Sequence, residues 1–218
     1  MEHEVNILFD VDGVLLDTMS IWENSANLYL KDIWGIDAPE GLDRECAAMS
    51  LMEAGAYMKE LYPQISLEAA ELADGVAAFI RERYVKAPAM AYMPETIREL
   101  KNRGYHLFLA TASDEENVKG ALKNHGVWDC FLDIYTCTRI GYSKQYVEYY
   151  QKIAEHIGAD CKDLIMVEDS LHSVITAKKA GLKVIGIREP HAQKTEQEMR
   201  RLCDIYMENL DAFRQYLF

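Results

Sequence analysis

Short apolar runs that end in acidic or hydroxyl-bearing residues recur along this chain. The first run covers residues 5–9 (VNILF) and is followed directly by Asp10, Val11, Asp12 and Gly13. A run this short and this apolar is typical of a strand buried on both faces of a sheet. Comparable runs lie at residues 105–111, 133–137, 163–169 and 183–187. The chain therefore predicts five strands, the first of them widely separated from the others.

Segments with helical periodicity separate the later strands. They are predicted at residues 94–103, 114–125, 145–157 and 171–180, and each is stopped by a glycine. Strands that alternate with helices at this spacing predict right-handed crossovers and a parallel sheet with helices on both faces. In the tail, residues 204–209 could add an edge strand and residues 210–218 a last helix.

Residues 18–90 differ, because they show helical patterns and no strand signals. Helices are predicted at 18–35, 43–62 and 66–86, the last of them opening at Ser66 as its N-cap. The first strand is too apolar to stand alone, so it must join the later sheet. We therefore predict an α/β protein whose doubly wound, Rossmann-like parallel-sheet core is formed by residues 1–17 and 91–218. A small all-helical cap domain, residues 18–90, is inserted after the first strand.

Composition restricts the function. The 218 residues are 50% apolar and 27% charged, which is typical of a globular protein. The formal net charge of −13 repels phosphate backbones and anionic lipids, so we expect neither a nucleic-acid nor a membrane partner. The five cysteines are scattered, without a C-x-x-C pair, which argues against a disulfide framework and a zinc site and favours a reducing cytoplasm. The apolar run at the N-terminus is too short for a signal peptide or a membrane span.

Polar residues converge on one edge of the predicted sheet. In open parallel sheets the ligand site lies at the carboxyl ends of the strands. The residues predicted there are Asp10, Asp12, Thr111, Ala112, Ser113, Lys144, Glu168, Asp169 and Ser170. Carboxylates as close as Asp10 and Asp12 repel each other unless a cation neutralises them or they take different protonation states.

Each of these features alone has an ordinary interpretation. Thr111, Ser113 and the 168–170 segment could be helix N-caps, and Lys144 could be a solvated surface charge. The Asp12-Gly13 pair is also a common hairpin signal. Their arrival at one edge from four separate segments favours a single site over several coincidences.

The segment DVDGVLLDT, residues 10–18, strongly resembles the opening motif of the haloacid dehalogenase-like hydrolases. The order and spacing of the later groups resemble the rest of that family's four-motif set, and the likeness covers residues 5–18 and 93–188. It points to the phosphatase and β-phosphoglucomutase-like group, which carries a small helical cap. The resemblance implies an enzyme that transfers a phosphoryl group from a small phosphorylated metabolite.

The resemblance also implies a role for each polar residue. Asp10 would be the nucleophile that forms an aspartyl-phosphate. Asp12 would protonate the leaving alcohol and then act as base on the water that clears the intermediate. Thr111 would hold a phosphoryl oxygen, helped by the backbone N–H of Ala112 and by Ser113.

A magnesium ion completes the implied site. It would lie between Asp10, the main-chain carbonyl of Asp12 and Asp169. Glu168 would steady a bound water or Lys144. Lys144 would neutralise charge on the phosphoryl group and restrain Asp10. The helical insertion resembles the family's cap, which closes over the site and selects the substrate.

Three departures from the family pattern bear on the activity. Gln145 stands where a proline is frequent, and Ser173 replaces a glycine. Trp22 stands where the sugar-phosphate mutases of the family carry a histidine, which favours a phosphatase over a mutase.

Other functions stay open or are disfavoured. A dehalogenase would lack the second aspartate, and a signalling receiver domain would lack the helical insertion. A non-catalytic protein that binds a phosphorylated ligand is disfavoured because no group that the chemistry requires is missing. The sequence identifies neither the substrate nor the oligomeric state.

Overall fold

The chain divides into two compact units, one formed by Met1–Asp17 with Pro88–Phe218 and the other by Thr18–Ala87. The computed structural model describes residues 5–46, 49, 51–189 and 193–213. The smaller unit ends at Ala87, slightly before the predicted boundary at residue 90.

The regular secondary structure of the smaller unit, over its described residues, is all helical. Its helices are α1 (Met19–Glu23), α2 (Ser25–Trp34), α3 (Leu42–Cys46), α4 (Leu51–Leu61) and α5 (Ala69–Val85). The helix predicted over 18–35 is interrupted at Asn24, and the one predicted over 43–62 is also divided, with residues 47, 48 and 50 outside the described segments. The Ser66 N-cap prediction was wrong, because α5 is capped by Glu68, whose side chain forms a capping box with Glu71.

A six-stranded sheet forms the centre of the larger unit. Its strands are β1 (Asn6–Phe9), β2 (His106–Thr111), β3 (Asp133–Thr136), β4 (Leu164–Glu168), β5 (Lys183–Ile187) and β6 (Ile205–Met207). They are ordered β3-β2-β1-β4-β5-β6, and every neighbouring pair is parallel. Because the chain moves outward from β1 toward both edges, the predicted doubly wound core is confirmed. Strand β6 is the edge strand that the tail was predicted to add.

Helices connect the strands of this unit. They are α6 (Met93–Asn102), α7 (Glu115–Asn124), α8 (Cys137–Ile140), α9 (Val147–Ile157), α10 (Leu171–Ala180) and α11 (Glu196–Leu202). Helices α9, α10 and α11 pack in one apolar cluster with strand residues that include Leu8, Met166 and Val184. The intervening strand residues face the opposite side, where the Phe9 ring lies 5.9 Å from that of Phe213. The sheet is therefore covered on both faces.

The sequence did not predict α8 or α11. Residues 210–212 form a 3-10 turn, and the rest of the predicted last helix, residues 214–218, lies outside the described segments. All five cysteines are free thiols. Among the helices of the described segments, none has both the length and the hydropathy needed to span a membrane.

The register of the central strands sets the position of the candidate site. Phe9 pairs with Leu109 on one side and with Val167 on the other. Asp10, which follows β1, therefore lies level with Glu168, the last residue of β4, and the Asp10 N–H donates to the Val167 carbonyl at 3.0 Å. This alignment brings Asp10 and Glu168 to adjacent positions at the carboxyl edge of the sheet.

Candidate active site

The acidic loop begins where β1 ends. Asp10 is 8% exposed, and its Oδ1 accepts the N–H of Val11 at 2.8 Å. Gly13 then adopts a φ of +77°, a conformation that side chains disfavour, and its N–H donates to the Leu16 carbonyl at 2.9 Å. The turn therefore fixes the backbone directly after Asp12.

Lys144 reaches this edge from the turn between α8 and α9. Its Nζ lies 2.6 Å from Asp10 Oδ1 and 2.9 Å from Glu168 Oε2, and the lysine is only 8% exposed. A buried ammonium group in contact with two carboxylates is a strongly paired charge. The solvated-surface interpretation of Lys144 is therefore wrong.

Glu168 is fully buried at the end of β4. While Oε2 contacts Lys144, Oε1 accepts the backbone N–H groups of Asp169 and Ser170 at 3.2 and 3.1 Å. Both of its oxygens therefore have protein partners. Asp169 is partly exposed in the next position.

Mutual repulsion and burial shift the ionisation of these groups. Burial raises the pKa of Asp10 well above its usual range, and the negative charge of Glu168 adds to the effect. Burial also raises the pKa of Glu168, and it raises that of Asp169 to about 7, helped by the charge of Asp10. Burial alone would lower the pKa of Lys144, but Asp10 and Glu168 reverse this and raise it. The lysine stays charged, but its single charge cannot neutralise three carboxylates.

The carboxylates fit a small divalent cation. One oxygen from each of Asp10, Glu168 and Asp169 lies within 4.8 Å of the others. Carboxylate and carbonyl oxygens are the ligands that magnesium prefers. Because both Glu168 oxygens already accept hydrogen bonds, Asp10 and Asp169 are better suited to direct coordination, and the Asp12 carbonyl follows in the same loop.

The hydroxyl residues Thr111, at the end of β2, and Ser113, just beyond it, form a short hydrogen-bonded chain. Thr111 is fully buried, and its Oγ1 accepts the Ser113 N–H at 3.0 Å. The Ser113 hydroxyl in turn lies 2.6 Å from Asp12 Oδ2. Helix α7 is capped instead by the side chain of Asp114, so the N-cap interpretation of Thr111 and Ser113 is wrong. Ala112 is exposed between them.

Two tyrosines hold the start of α9, directly after Lys144. Tyr149 donates its hydroxyl to the Tyr135 carbonyl of β3 at 2.6 Å, and Tyr150 donates to the Ser173 carbonyl of α10 at 3.2 Å. Both are fully buried, with ring centroids 5.2 Å apart. Ser173, one of the three departures from the family pattern, therefore lies where α9 packs against α10.

Sequence reasoning missed one buried carboxyl group near the site. Glu189 follows β5 and is 6% exposed. A Cβ placed on Gly13 would lie 2.9 Å from Asp169 Cγ and 3.3 Å from Glu189 Cγ, so both acids pack against this glycine. The signal was the same as for Asp10 and Asp169, namely an acid just beyond the carboxyl end of a buried strand.

The structure thus brings the predicted residues together at one edge of the sheet. Direct contacts join Lys144 to Asp10 and Glu168, and a separate contact joins Ser113 to Asp12. Trp22 belongs to the other unit, where its ring lies 5.9 Å from that of Tyr84. Gln145 is exposed in the turn beside Lys144.

A family model, curated relatives and solved structures all match this chain over most of its length. A family model described as haloacid dehalogenase-like hydrolase matches residues 7–187. The pyrophosphatase PpaX of Bacillus velezensis is 29% identical over 188 residues, covering 83% of this chain and 82% of PpaX. Hexitol phosphatase B of Escherichia coli is 24% identical over 215 residues, covering 93% of this chain and 91% of that enzyme. The magnesium-bound structure of YfnB from Bacillus subtilis has the same fold, with a TM-score of 0.76, 18% identity and 99% coverage of each chain.

Proposed function

The chain belongs to the haloacid dehalogenase-like hydrolase family, and we propose that it is a magnesium-dependent phosphatase of small phosphorylated metabolites. The observation that carries the proposal is the buried ion pair of Lys144 with Asp10 and Glu168, beside the partly exposed Asp169. These groups combine a nucleophile, a cation that restrains it and carboxylates suited to a metal.

Charge explains why this combination suits a phosphate ester. A phosphate that approaches one carboxylate at about 4 Å meets a repulsion of about 4 kcal/mol per charge pair at a surface-like dielectric. Lys144 offsets part of this repulsion at Asp10. Asp10, the Asp12 carbonyl and Asp169 would hold magnesium, which when bound supplies the remaining positive charge at the transferring phosphoryl group.

The proposed reaction proceeds in two steps on the protein's own residues. Asp10 attacks phosphorus as the bond from phosphorus to the leaving oxygen breaks, and Asp12 gives its proton to that oxygen. Water then attacks the aspartyl-phosphate while Asp12 takes a proton from it, which releases phosphate and restores Asp10. The Thr111 hydroxyl and the Ala112 N–H would hold the phosphoryl oxygens throughout.

The helical unit Thr18–Ala87 is proposed to serve as the cap that selects the substrate. A sugar-phosphate mutase is the second candidate, because the family to which the chain belongs includes such enzymes. Trp22 argues against it, since a histidine stands at that position in the mutases. We therefore expect net release of phosphate and not return of the phosphoryl group to a second hydroxyl.

The test is a panel of phosphomonoesters assayed with magnesium for free phosphate. Asp10→Asn keeps the size of the side chain but removes the nucleophile, so we expect a loss of at least ~1,000-fold in kcat. Asp160→Asn, which changes an exposed carboxylate at the opposite end of the sheet, is the control and should retain full activity. Isomerised sugar phosphate without free phosphate would point to the mutase, and an active Asp10→Asn variant would contradict the mechanism.

A further inference from the structure

Ser113 has two hydrogen-bond donors, and both are engaged within the protein. Its N–H donates to Thr111 Oγ1 at 3.0 Å, and its hydroxyl lies 2.6 Å from Asp12 Oδ2. A carboxylate can only accept hydrogen bonds, so the hydroxyl is the donor in this contact. With this arrangement, Ser113 has no donor left for a phosphoryl oxygen.

Thr111 keeps a donor although it accepts the Ser113 N–H. A threonine hydroxyl offers one donor and two acceptor positions, so its proton stays available for a phosphoryl oxygen. Thr111 therefore fits the phosphate-binding role and also fixes Ser113 through its Oγ1. The hydroxyl groups of Thr111 and Ser113 therefore have different roles.

We propose that Ser113 is a positioning residue for Asp12 and not a phosphate ligand, an inference that rests on the proposed phosphatase function. By holding Oδ2, the Ser113 hydroxyl restrains the rotation of the Asp12 carboxyl group. A hydrogen bond between two oxygens at this distance restrains the side chain in one orientation. Proton transfer needs such an orientation toward the leaving oxygen.

The proposal predicts a dependence on the leaving group. A poor leaving group, such as an alkoxide, needs the Asp12 proton as its bond to phosphorus breaks, whereas p-nitrophenolate leaves without it. The ratio kcat/KM reports only steps up to departure of the leaving group, so it excludes the later step in which Asp12 acts as base. A residue that binds phosphate would affect both kinds of substrate equally.

The experiment compares benzyl phosphate with p-nitrophenyl phosphate, which are similar in size. Ser113→Ala should lower kcat/KM about 10-fold or more for benzyl phosphate and less than about 2-fold for p-nitrophenyl phosphate. Ser113→Thr keeps the hydroxyl and should restore most of the loss. Thr111→Ala is the comparison for phosphate binding and should lower both values in parallel.

A double-mutant cycle with Asp12→Asn completes the test. If Ser113 acts through Asp12, Ser113→Ala should add nothing for benzyl phosphate in the Asp12→Asn background. Equal losses on both substrates, or additive losses in the cycle, would overturn the proposal while leaving the phosphatase function intact. A wild-type protein inactive toward every phosphomonoester would instead refute the function itself and the inference with it. Circular dichroism of each variant separates these outcomes from misfolding.

Discussion

At the scale of single residues, the site depends on charges that cannot be removed one at a time. Lys144 is buried against Asp10 and Glu168, so truncating it would leave two carboxylates without their cation. Breaking a buried pair from one side typically costs about 3–5 kcal/mol. A loss of activity in a Lys144 variant would therefore mix a folding defect with a catalytic one, which makes smaller changes more informative.

Gly13 offers such a change. A methyl group there would overlap Asp169 Oδ2, and the φ of +77° is itself unfavourable for a side chain. We expect Gly13→Ala to displace Asp169 and to raise the magnesium concentration needed for half-maximal activity about 10-fold or more, because a displaced or weakly supported ligand typically costs that much in metal affinity. Binding of magnesium, followed by calorimetry, measures this without relying on activity.

The chain contains a matched control for the backbone strain. Gly158 has a φ of +75°, and no atom lies within 4 Å of the position that a Cβ would take there. Gly158→Ala should therefore carry the conformational cost alone, about 1 kcal/mol in thermal unfolding, and leave magnesium binding unchanged. Equal magnesium affinity in the two variants would contradict the argument about Asp169.

At the scale of secondary-structure elements, the sheet could be predicted from the sequence almost completely. Buried strands in an α/β fold are short apolar runs, and most of the helices end at a glycine. For these reasons β5 and α10 were predicted at their observed bounds. Residues that follow such strands must meet at one edge, and for this reason the candidate site could also be predicted.

The errors occurred where local signals compete. Ser66 is a good N-cap, but Glu68 pairs with Glu71 in a capping box and starts α5 two residues later. The segment over 18–35 has an unbroken helical pattern, but the helix is interrupted at Asn24, and the start of α2 is capped by a tertiary interaction with Asp43 that the pattern does not contain. The contact between Ser113 and Asp12 joins residues 101 positions apart, and such a pairing of side chains has no local signature.

That tertiary interaction gives a prediction at the same scale. Asp43 in α3 accepts the N–H groups of Ala26 and Asn27 through Oδ1, at 2.8 and 3.2 Å, and so caps the start of α2 from a distant position. Asp43→Ala should lower the free energy of unfolding by about 1 kcal/mol, and by at most about 2. Asp43→Asn keeps an acceptor oxygen and should lose clearly less. Thermal unfolding followed by circular dichroism measures both, and equal losses would show that charge, not capping, matters.

At the scale of the whole molecule, the acidic site affects stability in a chain that already carries a net charge of −13. Burial and the neighbouring charges raise the pKa values of Asp10, Glu168 and Asp169 in the folded protein, to about 7 for Asp169. In the unfolded chain, aspartate and glutamate titrate near pH 4. Without a divalent cation, the folded protein therefore binds more protons than the unfolded chain between about pH 4 and pH 7.

The sign of the pH dependence follows from this difference. The contribution of these carboxyl groups to the free energy of unfolding is fully present at a pH below their pKa in the unfolded chain. It is lost as the pH rises through their higher pKa in the folded protein. In EDTA, we expect the titration of these carboxyl groups to lower the melting temperature as the pH rises from 5 to 8. Magnesium competes with these protons for the same oxygens, so the rise in melting temperature that it produces should increase over the same interval.

The variant Asp169→Asn distinguishes the effect of this site on the melting temperature from the effects of the other titrating groups of the chain. The variant removes the carboxylate with the pKa of about 7, so its melting temperature in EDTA should fall less from pH 5 to pH 8 than that of the wild type. Magnesium should then give little stabilisation at either pH. If magnesium stabilised the variant as strongly as the wild type, the ion would bind elsewhere. Burial and mutual repulsion of Asp10, Glu168 and Asp169 would then destabilise the folded protein, with no bound metal to compensate.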